Sequence, residues 1–584
     1  MDQNYPIYTA LVECQDCYKC VRECPVKAIK VNEGHASIIP ELCTACGHCV
    51  VTCPVNAKKI RDDLSRLELL LKTSGKVYAS IAPSWITNFP NISSTQLIAA
   101  LKKLGFTGVS ETALGAQEVT GGLNEILSNS KPGIYISSAC PSVVDFIAKH
   151  ATKYKKNIVE LLSPVMAHTL LLHKEFGNDI AVVFFGPCIA KKIESDRYAN
   201  TLNLSLTFQD LSDLLKSNNI NFSDFTNEDE NFVPSKAEEG SLYPIVGGMI
   251  NTMGINEKAS EIETLSISGL PHLKYYLEGL DSTKTDRVIF IEALACEGGC
   301  INGPGKTVKS SGLKDRIKIK DTFRNFNKLK TRKNTVPVFE YMKLPKAKQR
   351  NNQPEEKIKN ALAKLGKFKP EDELNCGGCG YDTCRLFAEA LLNGKAETEM
   401  CVSLMRKKAL NKANAILKRM PSGVVIVDSN MQIIECNKRF AEMFGDETLA
   451  LYDIIPSLKG AYIDRIVPFS DLFKLALRTG EDIFKENLRA GDKLLHLTLF
   501  TIEENQVVGG IIQDATKLEL KREEIAKKAN EILRKNLNTV QGVAKLLGEH
   551  MADTEILLRS IAKGFSIPES NAQIVKVKKE SRNE

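Results

Sequence analysis

Four short apolar runs mark the first half of the chain: residues 77–82 (VYASIA), 133–138 (GIYISS), 180–185 (IAVVFF) and 287–291 (RVIFI). Runs of this length without alternation predict strands buried on both faces. Each leads toward a loop, and open α/β sheets bind ligands just past such strand ends. From Pro421 the pattern changes. Residues 422–428, 431–440, 493–500 and 506–514 mix alternating and apolar strands around short helices. Residues 517–533 then place Leu518, Ile525, Ala529 and Ile532 on one face with charges between them, predicting an amphipathic, dimer-forming helix. A second helix is expected through Val540, Val543, Leu546 and Leu547.

No apolar run reaches the roughly 18 residues of a membrane span. Residues 1–10 lack a basic stretch followed by an apolar one, so a cytoplasmic protein is expected. The 584 residues predict about four domains at roughly 150 residues each. With 43% hydrophobic and 26% charged residues, global disorder is excluded. A net charge of +7 would by itself suggest nucleic acid or a membrane surface as partner. Seventeen cysteines redirect that reading, since in a reducing compartment they serve as metal ligands or catalytic thiols rather than disulfides.

Cys14, Cys17, Cys20, Cys24 and Cys43, Cys46, Cys49, Cys53 form two copies of C-x2-C-x2-C-x3-C, each followed by proline. This is the spacing of two-cluster bacterial ferredoxins, in which the fourth cysteine of each run ligates the other cluster. Cys14, Cys17, Cys20 and Cys53 are therefore expected on one [4Fe-4S] cluster, and Cys24, Cys43, Cys46 and Cys49 on the second. Cys376, Cys379 and Cys384 lie in NCGGCGYDTC, with Cys401 one helical stretch later. They predict a third [4Fe-4S] cluster and resemble the small four-cysteine domain of corrinoid iron–sulfur proteins. Zinc is the alternative metal at both places.

Four more cysteines stand apart, in SACP (Cys140), GPCIAKKIE (Cys188) and ACEGGC (Cys296, Cys300). Their order, their neighbouring prolines and the lysine three residues after Cys188 resemble the signature segments of the [FeFe]-hydrogenase catalytic domain, over roughly 75–341. The resemblance implies an H-cluster: a [4Fe-4S] cluster on Cys140, Cys188, Cys296 and Cys300, bridged by Cys300 to a di-iron unit with CO, cyanide and azadithiolate. It implies that Lys191 hydrogen-bonds a cyanide and that Glu194 pairs with this region from the next turn. The substrates implied are H2 and protons.

The family pattern is broken in places. The first of two adjacent cysteines, a proton relay in active members, is here Ala139, so that step is lost. Gly186 and Leu294 stand where methionines pack against the di-iron unit, predicting an altered pocket, roomier on one side. Gly303-Pro304-Gly305 replaces Gly-Gly-Gly-Gln, and Gly121-Gly122 occupies the neighbourhood of the usual acidic proton path. Slow H2 oxidation is expected rather than rapid turnover.

Residues 415–516 resemble a PAS sensory domain, ending in Asp514-Ala515-Thr516. Cys436 reads as a buried small residue and His496 as a packing residue, and no PAS cofactor is expected. His550 is followed by only 34 residues and no ATP-binding glycine boxes, which excludes a histidine kinase in cis and sends the output to a separate partner. Residues 306–350 hold 15 Lys or Arg against Asp315, Asp321 and Glu340. This is a solvated face or a docking site for acidic ferredoxin or flavodoxin.

The expected organisation is multidomain α/β and α+β: a two-cluster ferredoxin domain (1–62), an H-cluster domain (75–345), a four-cysteine iron–sulfur domain (355–410), a PAS domain (415–516) and signalling helices with a tail (517–584). Three readings follow. One is a sensory hydrogenase and another a ferredoxin-linked catalytic hydrogenase with a regulatory PAS domain. The third is an iron–sulfur scaffold that keeps the fold without the di-iron unit, against which Lys191 and Glu194 argue if they exist to hold cyanide. Four thiolate-bound clusters would carry roughly −8 together, which cancels most of the formal +7 and removes the reason to expect nucleic acid.

Overall fold

The computed structural model describes residues 5–225, 229–253, 262–280, 285–308, 312–322, 334–339, 343–347, 353–544 and 559–560. The chain divides into two compact units, Met1–Leu404 and Met405–Glu584.

In the first unit the N-terminal segment is a small duplicated fold. Strand Ile7–Thr9 pairs antiparallel with Lys58–Ile60, and Ile29–Asn32 forms a hairpin with His35–Ile38. Two short helices, Lys19–Glu23 and His48–Thr52, follow the cysteine loops. Left-handed backbone recurs at Asp16 and Ala45, Tyr18 and Gly47, Lys27 and Asn56. Every pair is separated by the same 29 positions that separate Cys14 from Cys43. Each loop thus curls its backbone around its cysteines in the same way, and non-glycine residues accept αL there because the surrounding loop over-determines it.

The four apolar runs are strands, divided between two parallel sheets. One has the order Gly108–Glu111, Val77–Ile81, Ala181–Gly186, Leu204–Thr207. The other has the order Ile262–Ser268, Val288–Leu294, Gly133–Ile136. Helices Ala113–Ser128 and Pro164–Phe176 cross closely at Gly115, where a Cβ would lie 2.1 Å from the Pro164 carbonyl oxygen. His168 on the second helix is wholly buried, with Nδ1 2.8 Å from Ser80 Oγ and Nε2 2.8 Å from Ser110 Oγ. It ties two neighbouring strands together, and burial pushes its pKa down to about 3, so it stays neutral. Residues 353–404 add helices Glu355–Lys364 and Cys384–Leu392 around the last cysteine loop.

The second unit holds a five-stranded antiparallel sheet of order Ile433–Cys436, Gly423–Asp428, Val507–Asp514, Lys493–Glu503, Ile483–Ala490. Phe440 and Phe473 from its helices fill the core against Val425, Leu499 and Val508. At the strand end, Thr516 N donates to Asp514 Oδ1 (3.0 Å) and Thr516 Oγ1 accepts from Leu494 N (3.0 Å), so this triplet closes the sheet and opens the next helix. That helix runs unbroken from Thr516 to Ala544. The two helices expected after the sheet are one as far as Ala544, because no glycine or proline interrupts residues 517–540. Leu546, Leu547 and His550 lie outside the described residues. Leu518, Ile525 and Ile532 are exposed. Among the described residues no helix is long and apolar enough to cross a membrane.

Candidate functional site

Three strands of the two parallel sheets deliver cysteines just past their C-terminal ends. Cys140 follows Gly133–Ile136 and caps helix Pro141–His150, while Cys188 follows Ala181–Gly186 and leads into helix Ala190–Arg197. Cys296 follows Val288–Leu294, and Cys300 opens the turn Cys300–Asn302. Gly299 between them has φ +103°, and a Cβ there would meet the Pro244 carbonyl oxygen at 2.5 Å, so glycine is required for this turn. Parts of Cys188, Cys296 and Cys300 remain accessible, yet desolvation is the largest influence on all four thiols and pushes each pKa up, that of Cys188 to about 11. The remaining three members raise Cys296 further, and Cys140 and Cys188 raise Cys300. Four converging, poorly solvated thiols are a poor arrangement for free thiolates and a good one for a polynuclear cation, which replaces their protons. The donor set therefore fits an iron–sulfur cluster.

Lys191 and Glu194 lie one turn apart on helix Ala190–Arg197, both buried. Lys191 Nζ donates to Glu194 Oε2 (2.6 Å) and to Ser163 Oγ (2.9 Å), and its charge favours the thiolate forms of Cys140, Cys188 and Cys300. The ammonium already has two protein partners. Its burial thus does not by itself call for a cyanide, which removes part of the argument against a scaffold.

The expected extra room is not found at Gly186. A Cβ there would lie 2.4 Å from Phe184 Cζ and 3.0 Å from Ala82 Cβ, so a phenylalanine ring takes the space left by the missing side chain. Leu294 is buried, and Ala139 is half-buried with its amide donating to Ser137 Oγ (3.2 Å). Ser138 Oγ, two residues before Cys140, is buried without a hydrogen-bond partner. An unpartnered donor at this place suits a polar, acceptor-bearing cofactor.

Sequence reasoning did not single out Glu292. It is buried on strand Val288–Leu294, accepts from Met249 N (3.0 Å) and Ser266 Oγ (2.8 Å), and its charge would raise the Cys300 pKa. An acidic residue inside an apolar strand, VIFIEAL, was the available signal.

The N-terminal cysteines sort into two groups. Cys20, raised mainly by burial, also feels Cys14, Cys17 and Cys53, whereas Cys49, likewise raised mainly by burial, feels Cys43, Cys46 and Cys24. Backbone amides of Ala28 and Ala45 donate to Cys24 Sγ and Cys43 Sγ, both at 3.3 Å. Cys46 is close enough to Cys296 to raise its pKa further. Pro304 presses on Gly47, next to Cys46, where a Cβ would lie 2.4 Å from Pro304 Cγ. The altered Gly303-Pro304-Gly305 segment therefore packs between the Cys46 loop and Pro187, the residue before Cys188. Cys376, Cys379, Cys384 and Cys401 together line a separate, partly open pocket with Lys367, Tyr381 and Phe387.

Family models match the chain in four places. They are a 4Fe-4S dicluster domain over residues 7–54, the C-terminal domain of the iron-only hydrogenase large chain over 75–304, a putative Fe-S cluster over 372–403 and a PAS domain over 412–486. The chain is an [FeFe]-hydrogenase-like protein with iron–sulfur and PAS domains. Iron hydrogenase 1 of Clostridium pasteurianum is 22% identical over 330 residues, 47% of this chain and 57% of that protein. The NADP-reducing hydrogenase subunit HndD of Solidesulfovibrio fructosivorans is 24% identical over 351 residues, 50% and 56% respectively. The chain thus spans little more than half the length of these relatives. A solved variant of the [FeFe]-hydrogenase HydA1 from Chlamydomonas reinhardtii is 18% identical, covering 46% of this chain and 91% of that one with a TM-score of 0.36.

Outside the hydrogenase-like part, Cys436 is buried and its thiol donates to the Ser457 carbonyl (3.1 Å). His496 Nε2 is buried without a partner. Much of the basic segment 306–350 lies outside the described residues. Within helix Gly312–Thr322, Lys318 is held by the carbonyls of Ile86 (3.1 Å) and Pro90 (2.7 Å).

Proposed function

We propose that this is a sensory iron–iron hydrogenase of the cytoplasm. It binds and slowly oxidises H2, or reports redox state, at an H-cluster on Cys140, Cys188, Cys296 and Cys300, with Cys300 as the bridging thiolate. Electrons pass through three accessory [4Fe-4S] clusters, and the PAS domain signals to a partner in trans, the protein acting as a homodimer through its C-terminal helix. The observation that carries the reading is the convergence of four desolvated cysteines at strand ends beside the buried, unpartnered Ser138 hydroxyl. When bound, the di-iron unit supplies the metal at which H2 is split. The protein's own residues hold it, exclude water and set the proton supply. Ala139 has no exchangeable side-chain proton, which supports slow turnover. The basic 306–350 segment supports exchange with an acidic ferredoxin or flavodoxin.

The test is maturation with the di-iron unit, followed by infrared spectroscopy and an H2-oxidation assay. Expected are CO and cyanide bands and a low rate that rises at least tenfold in Ala139→Cys. A parent rate like that of bulk hydrogenases would instead favour the ferredoxin-linked catalytic enzyme. The two protein partners of Lys191 favour a second reading, an iron–sulfur scaffold without the di-iron unit. Absence of the CO and cyanide bands after maturation would select it.

A further inference from the structure

The third cysteine site sits directly on the ferredoxin-type loops. Val31 N donates to the Lys395 carbonyl (3.0 Å), and the Glu397 carboxylate accepts from the amides of Glu33 (2.5 Å) and Gly34 (3.1 Å). Gly380, at φ +92°, approaches so closely that a Cβ would lie 2.9 Å from Val21 Cγ1 and 3.2 Å from Arg22 N. The Cys379–Cys384 loop is thereby laid on helix Lys19–Glu23, which contains Cys20 and is capped by Cys24.

Tyr381 stands at the centre of this contact. It is 6% exposed, and its ring lies 5.7 Å from that of Phe387. It packs in one cluster with Cys20, Val21, Cys24 and Cys401. Its hydroxyl is buried and has no hydrogen-bond partner, a costly state for a donor. Its backbone carbonyl lies 4.0 Å from the Cys379 sulfur.

We propose that Tyr381 joins the Cys376/Cys379/Cys384/Cys401 site to the Cys24/Cys43/Cys46/Cys49 site, its hydroxyl donating a hydrogen bond to a cluster sulfur at that junction. The inference rests on reading these cysteines as cluster ligands and is independent of the di-iron unit. The Cys24 site, which also faces Cys296 through Cys46, becomes a branch point. One branch leads to the Cys14 site. The other leads to the site whose last ligand, Cys401, is followed in sequence by helix Val402–Arg419 and the PAS domain. Tyr381 is a positioning residue here. A donor to a cluster sulfur stabilises the more negative, reduced state and raises the potential, so its removal lowers it.

The experiment uses the full chain reconstituted with iron and sulfide but never matured with the di-iron unit, titrated with a reductant and followed by EPR. The third signal is assigned by its loss in Cys376→Ala. Tyr381→Phe, which keeps the ring, is expected to lower the potential of one junction cluster. At the parent midpoint its reduced-to-oxidised ratio falls roughly tenfold, about 59 mV for one electron, while the Cys14 cluster is unmoved. Whichever of the two moves identifies the accepting sulfur. Three unchanged potentials, or three that shift together, would overturn the assignment. A second measurement does not depend on how the variant folds. In the fully reduced parent the Cys24 cluster signal should show, besides any splitting from the Cys14 cluster, a further magnetic splitting that is lost in Cys376→Ala, and a Cys24 signal identical in parent and Cys376→Ala would overturn the junction.

Discussion

Glu111 shows how single buried groups govern this protein's response to pH. It is 2% exposed, its carboxylate accepts from Ala237 N (2.7 Å), and burial pushes its pKa from 4.5 up to about 7. Between those values the folded form keeps a proton that the unfolded chain has lost, so stability falls as pH rises through the window. Glu111→Gln should flatten that slope and raise stability near pH 7 by about 1–3 kcal/mol, read as a higher thermal midpoint for the first unit. An unchanged pH profile would show that Glu111 is ionised in the fold. Single residues also divide by legibility. The cysteines could be read from the sequence because C-x2-C geometry is local. Ser163, Glu292 and Tyr381 could not, since their neighbours come from segments tens to hundreds of residues away.

Among elements, three of the four apolar runs were legible because both faces of those strands are buried, whereas Gly133–Ile136 forms a strand that is only half-buried before Ile136. Gly108–Glu111 (GVSE), Leu204–Thr207 (LSLT) and Ile262–Ser268 (IETLSIS) were not legible, because polar residues interrupt them and sheet neighbours decide their state. The helix that carries Lys191 is anchored by its next residue. Lys192 is fully buried and reaches Asp63 (3.0 Å), Asp210 (2.8 Å) and the Arg61 carbonyl (2.9 Å). It thus pins the helix to the segment that leaves the ferredoxin-type fold. Lys192→Met would leave Asp210 without its buried cation, while Asp63 keeps Arg61 and Arg66, a loss of about 3 kcal/mol. Calorimetry should record it as a lower first-unit transition, with Asp210→Asn in the same background recovering part of it. No recovery would mean that the lysine acts through packing alone.

For the whole molecule, metal content and stability should separate between the two units. All sixteen cysteines of the proposed clusters belong to Met1–Leu404, and the second unit contains only Cys436, whose thiol is already bonded to a carbonyl. Iron removal by a chelator under reducing conditions should abolish or sharply lower the first-unit melting transition and leave the second within a degree or two. Equal loss of both transitions would place metal-dependent structure in the second unit as well.

The packing of Pro304 against Gly47 carries a further consequence. Two separate redox proteins must find one another, so their traffic slows on dilution and responds to salt. Here the two partners are stretches of one polypeptide, already in van der Waals contact before any encounter. Electron passage between the Cys46 and Cys296 loops, in the function proposed here, is therefore expected to be a first-order event, insensitive to dilution, ionic strength or a competing carrier in solution.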